Sequence, residues 1–170
     1  LSLDITAEQA RLKALTVNEE RLRMALAAAN QAWFEVDVRT GQVKVSPEYV
    51  NLIGHDLMVQ QTTDMAHWQS QVHPDDVERA LGAFQQGLFQ DGALSVDYRR
   101  RTAQGGWKWI RSVGRVAERD AAGQPLRVVG IHTDISLIKA HEQQLEHMAH
   151  YDALTGLPNR VLLADRLRQA

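Results

Sequence analysis

Seven histidines and a run of three arginines are the residues of this chain whose types could do chemistry. A helix that holds zinc through two histidines needs them four residues apart. His141 has Leu145 at that position, so the stretch from His141 to Leu145 falls short of such a site. His147 and His150 could share a helix face, but a pair with no carboxylate beside it reads as a solvated linker face. His73 precedes Pro74 and reads as a helix cap rather than a haem ligand. No metal site is expected. The residues leave haem and flavin open and imply neither; the tryptophans would permit flavin stacking without requiring it. Cysteine is absent. That removes disulfides, thiolate nucleophiles, cysteine-bound metals and any photosensor that works through a flavin–cysteine adduct. Arg99-Arg100-Arg101 alternates across strand faces and reads as solvated.

The net charge of -2 over 170 residues gives no electrostatic case for nucleic acid or an anionic membrane surface. Apolar content of 44% suits a globular domain with extensions. No apolar run approaches the ~20 residues that span a bilayer, and no signal pattern opens the chain. The expected location is cytoplasmic, with no membrane contact in this segment. The chain starts at Leu1 rather than methionine and is read as a segment of a longer protein, which could itself be anchored to the inner membrane.

The elements that must position these residues are legible from periodicity. Ala7 to Leu26 is rich in helix formers, with Leu12, Leu15, Leu22, Leu26 and Ala29 on one stripe. Glu19 interrupts that stripe, and Asn18 is a plausible cap, so two helical pieces are expected. Phe34, Val36 and Val38 alternate with charged residues, and Val43 to Val45 returns after the turn at Gly41, giving a hairpin. Ser46-Pro47 opens a short helix that stops at Gly54. Residues 55–71 show the least periodicity. His73-Pro74-Asp75-Asp76 opens another helix, whose apolar face is Val77, Ala80, Leu81, Phe84 and Leu88. Three strands follow, centred on Val96, Trp109 to Val113, and Val128 to Ile131, joined by turns into a meander. The layout is α+β, with helices covering one sheet face. A pocket, if used, lies between that face and the helices, and its candidate ligand-binding residues are Phe34, Trp68, Phe84, Leu88, Trp109, Val113 and Ile131. Apolar residues in such places are more often plain core.

From Asn18 to about Leu145 the order and turns resemble a PAS domain of the subclass common in bacterial sensors. The matching pieces are Trp33-Phe34-Glu35-Val36-Asp37 with Gly41, Ser46-Pro47-Glu48-Tyr49 with Leu52-Ile53-Gly54, and Val72-His73-Pro74-Asp75-Asp76. Gly106-Trp107-Lys108-Trp109-Ile110-Arg111, then Asp120, Gly123 and Pro125, and finally Gly130 to Ser136 complete the set. The resemblance implies a five-stranded antiparallel sheet in spatial order 2-1-5-4-3. Asp134-Ile135-Ser136 looks like the family's exit motif, where the last strand hands over to a signalling helix, with Arg111 the candidate partner of Asp134. Leu3-Asp4-Ile5-Thr6 is a weaker copy, similar to the tail of an upstream domain.

Asp152-Ala153-Leu154-Thr155-Gly156-Leu157-Pro158-Asn159-Arg160 resembles the opening of the GGDEF domain of diguanylate cyclases. The expected organisation is a linker helix over 1–30, a PAS domain over 31–136, an output helix over 137–151 and the start of a GGDEF domain over 152–170. Asp152 and Arg160 are expected to pair as structural residues at the entrance of that domain. Ile138, His141, Leu145 and Met148 fall at coiled-coil spacings on the output helix. Two heptads are too few to hold a pair alone, so a weak homodimer through the N- and C-terminal helices is expected. The signature Gly-Gly-[Asp/Glu]-Glu-Phe is absent, so no catalytic residue and no cyclase activity are expected of this chain. The resemblance implies a sensor, with a small molecule in its pocket, that regulates synthesis of cyclic di-GMP. The alternatives are a ligand-free relay and a scaffold for a phosphodiesterase.

Overall fold

A computed structural model describes residues 2–54, 62–150 and 166–167. The chain divides into two units, Leu1–Asp134 and Ile135–Ala170. The first contains helix α1 (Ser2–Ala28), strands β1 (Gln31–Asp37) and β2 (Gln42–Val45), helix α2 (Tyr49–Ile53), strand β3 (Thr62–Asp64) and helix α3 (Met65–Gln71). It continues with α4 (Val77–Gln86), a π-helical turn (Gly87–Asp91), and strands β4 (Ala93–Arg101), β5 (Trp107–Arg119) and β6 (Pro125–Asp134).

The sheet is antiparallel and runs β3-β2-β1-β6-β5-β4. The expected order of five strands is present, and Thr62–Asp64 adds a sixth at the edge, paired with β2. Thr-Thr-Asp has no apolar alternation, so nothing in its residue pattern marks it as a strand. The inner face carries Ala32, Phe34 and Val36 from β1, Val43 and Val45 from β2, Leu94, Val96 and Tyr98 from β4, Ile110 from β5 and Val128 from β6, all buried. α2, through Tyr49, Leu52 and Ile53, and α4, through Ala80, cover it. Each large side chain so buried contributes ~1.5–3 kcal/mol. Gly54 ends α2 at φ 72°, the left-handed conformation that suits glycine at a helix stop.

α1 is one helix that runs through Asn18, not two pieces. Thr16 donates back to the Leu12 carbonyl and no cap forms at Asn18. Leu12, Leu15, Leu22 and Met24 are exposed along it, and Leu26 is the residue that enters the core. The chain then turns at Asn30 (φ 53°), whose carbonyl accepts a hydrogen bond from the Asp134 amide at 3.1 Å. In the second unit, α5 (Ser136–His150) leaves Leu137, Ile138, Leu145 and Met148 exposed. Asp152, Arg160 and the rest of the GGDEF-like stretch lie outside the described residues.

Candidate functional site

The cavity between sheet and helices has a volume of about 30 Å³ and is walled chiefly by Phe34, Val36, Met65, Trp68, Phe84 and Val96. That is room for one or two waters. Ser112 and His132 bring the polar atoms of its wall. Phe34, Trp68 and Phe84 therefore sit where the sequence reading put them, and Leu88 is buried in the adjoining core.

Trp109, Val113 and Ile131 do not face the cavity. Val113 is 47% and Ile131 38% exposed, paired across β5 and β6 on the outer face of the sheet. Trp109 shares their phase of β5 and lies beneath the Arg99 guanidinium, 5.3 Å from its ring centre. The phase is fixed by Asp97 on β4, which receives two hydrogen bonds from Arg111, at 2.8 and 3.0 Å. A charged pair of this kind belongs on the solvent side. The fully buried residues of β5 are Ile110, Ser112 and Gly114.

Ser112 lies at the middle of a buried polar chain. Trp68 Nε1 donates to the Tyr98 hydroxyl (3.2 Å), which lies 2.9 Å from Ser112 Oγ, itself 2.6 Å from His132 Nδ1. Burial, with the Arg100 charge as a lesser cause, lowers the His132 pKa from 6.5 to about 3. The ring is neutral at ordinary pH and shares a hydrogen bond with the Ser112 hydroxyl through Nδ1. His132 is sandwiched, with Phe34 stacked at 4.4 Å and Tyr49 tilted at 5.4 Å. Glycines make this possible. A Cβ on Gly130 would meet the Val113 carbonyl and the Phe34 ring, the latter at 2.5 Å, so the tip of the ring lies against bare backbone.

Arg100 departs furthest from expectation. Rather than solvated, it is 4% exposed, on the inward phase of β4. Its guanidinium lies 5.2 Å from the centre of the Tyr49 ring. Its neighbours are served: Arg99 grips Asp76 through Nε and Nη2, and Arg101 lies over Trp107. Asp76 is held down at a pKa of about 2 by its bonds to Arg99, outweighing the opposing effect of burial.

At the exit of the sheet, Asp134 lies 3.3 Å from Lys108 Nζ. Arg111, the partner expected from sequence, holds Asp97 at 2.8 Å. Ser136 opens α5. Among the described residues no group of three or more histidine, aspartate or glutamate side chains could hold a metal. Among them, too, no helix is long and apolar enough to cross a membrane.

A family model described as "PAS fold" matches residues 42–132. The protein y4lL of Sinorhizobium fredii (strain NBRC 101917 / NGR234) is 36% identical over 110 residues, which cover 60% of this chain and 13% of that protein. The crystal structure of a sensory box histidine kinase/response regulator from Burkholderia thailandensis E264 superposes with a TM-score of 0.65 at 25% identity, covering 88% of this chain and 99% of that one. The N-terminal domain of a diguanylate cyclase with PAS/PAC sensor from Marinobacter aquaeolei follows the same fold, with a TM-score of 0.57 at 24% identity over 64% of this chain and 98% of that one.

Proposed function

The chain belongs to the PAS fold family, and on that premise we propose that it is the sensory and relay segment of a diguanylate cyclase. A PAS domain is a non-catalytic sensor module of signalling proteins. The finer reading is carried by one observation: a stretch similar to the opening of a GGDEF domain, Asp152 to Arg160, follows directly on a helix with coiled-coil spacing. The Marinobacter aquaeolei domain of the same fold comes from a protein described as a diguanylate cyclase.

Joining two GTP molecules needs two facing catalytic domains, so whatever aligns two output helices sets the rate through proximity and orientation. Homodimerisation through α1 and α5 supplies that alignment, with Ile138, Leu145 and Met148 in the α5 seam. Asp134 and Ser136 mark the joint between sheet and helix. A preference of a few kcal/mol for one helix arrangement is enough to switch output.

The second reading is a relay without a ligand, and the cavity of about 30 Å³ favours it. Both are tested by extending the chain through the following catalytic domain and measuring cyclic di-GMP formed from GTP. Asp134→Ala is expected to change the rate severalfold with the catalytic domain still folded. A rate identical with and without residues 1–151 overturns the proposal.

A further inference from the structure

Glu48 is a buried carboxylate whose charge is unmet. It is 8% exposed, and its Oε2 is sealed from solvent with no hydrogen-bond partner among the described residues. Two cations at this end of the sheet are placed elsewhere. Lys108 holds Asp134 at 3.3 Å, and Arg100, itself without a partner at Nε and Nη1, lies 5.2 Å from the centre of the Tyr49 ring. Among the described residues no ion pair joins Glu48 to either. Local structure does not call for an acid here, because Glu48 precedes α2 without capping it through its side chain. Burying an uncompensated carboxylate is costly, and glutamine would fill the same space without that cost.

Glu48 also forms part of the wall of a second hollow, of about 20 Å³, where the end of α1, the start of β1, α2 and the end of β6 meet. Asn30, Gln31, Asn51 and Asp134 bring the other polar side chains, and each carries an oxygen able to bind a cation. The C-terminal end of α1 adds partial negative charge, and its last turn has no basic residue to offset it. Asp134 is balanced by Lys108, so one negative charge is left over at Glu48. We infer that this hollow is a site for a monovalent cation (sodium, potassium or ammonium), with Glu48 as the charged ligand and amide oxygens as the neutral ones. The volume admits a single ion or water and nothing larger. A water would hydrogen-bond to Oε2 and leave its charge uncompensated, whereas a cation removes both deficits. The hollow shares no wall residue with the central cavity, so the inference goes beyond the sensory reading of that cavity. With Asn30 and Asp134 both in its wall, a bound ion ties the entry and the exit of the sheet to α2.

The test uses the whole chain, dialysed into tetramethylammonium chloride, whose cation is too large for the hollow. Thermal unfolding is followed as sodium, potassium or ammonium chloride replaces that salt at constant ionic strength. The wild type should gain about 4 °C at a tenfold excess over Kd for at least one of the three, saturably. Glu48→Gln should lose that gain and, in tetramethylammonium chloride, melt no lower than the wild type. Glu19→Gln, at an exposed position of α1, should keep the gain. A saturable shift of equal size in Glu48→Gln overturns the inference. So does a wild type that melts alike in all four salts, in which case a water alone completes the hollow. A Glu48→Gln that melts well below the wild type in tetramethylammonium chloride also overturns it, by giving the carboxylate a partner within the chain, with Arg100 the first to examine. Should Glu48→Gln fail to fold, the side-chain carboxyl carbon resonance of Glu48 in the wild type, assigned with Glu48→Asp, decides: it moves saturably as the small cation replaces tetramethylammonium, or the inference is wrong. Binding is scored on this chain without the cyclase, so a failure of cyclase control would leave it standing, and the reverse.

Discussion

The Ser112 hydroxyl joins two other buried polar groups, Tyr98 Oη and His132 Nδ1. Ser112→Ala leaves both short of a partner and should cost about 1–3 kcal/mol in urea unfolding. A loss below ~0.5 kcal/mol would show the chain of hydrogen bonds to be unimportant for stability. His132 adds a pH dependence. Unfolded, the ring takes a proton below 6.5; folded, it resists until about 3. The unfolded state therefore binds more protons across that window. The stabilisation is complete above 6.5 and is lost as pH falls toward 3, by up to about 1.4 kcal/mol per pH unit. Asp76, lowered from 3.8 to about 2, contributes above 3.8 and is lost only below it, so the two are separable. His132→Phe should flatten the stability profile between about pH 4 and 6.5; an unchanged slope there would assign it to other groups. None of these buried polar residues was legible from composition, because a histidine and a serine on strands look alike whether they face in or out. The alternation could have been phased, however. Once Leu94, Val96 and Tyr98 are placed inward, Asp97 is outward, and Arg111 opposite it carries Trp109 and Val113 out with it.

At the scale of elements, two glycines separate close packing from helix propensity. Gly130→Ala puts a Cβ against the Val113 carbonyl and the Phe34 ring and should cost about 1–3 kcal/mol or more, through the shift it forces on β6. Gly82 sits within α4, and a methyl group there would meet nothing within 4 Å, so Gly82→Ala should stabilise by about 0.5–1 kcal/mol. Equal effects from the two substitutions would contradict the packing described for the sheet floor, and a urea midpoint comparison is sufficient to see it. The hairpin, the glycine stop of α2, α4 and the meander stand where periodicity and turn residues put them, whereas α2 opens at Tyr49 rather than at Ser46-Pro47, because the Ser46 hydroxyl accepts from the Trp33 amide. β3 and the unbroken α1 do not, because three polar residues carry no period and because a capping residue at Asn18 has no effect without a preceding break in the helix.

For the whole molecule, the exposed leucines of α1 are the feature that most needs an explanation. Under the proposed dimer, Leu15→Lys with Leu22→Lys should convert a sedimenting dimer to monomer while the far-ultraviolet spectrum of the sheet unit is unchanged. A wild type that sediments as monomer at every concentration would remove the dimer and, with it, the proposed alignment of catalytic domains. The fold class was available from residue order alone, since the strand and turn pattern is local. The cation beneath Tyr49 was not, since alternation tells which faces differ but not which of three consecutive arginines lies on the inner one.

The bond from the Asp134 amide to the Asn30 carbonyl brings the residue before β1 and the last residue of β6 to a single corner. A body of about a hundred residues that leaves where it came in can be added to a polypeptide, duplicated or removed without rerouting the segments on either side. That geometry suits the sheet to being strung in series along a longer polypeptide.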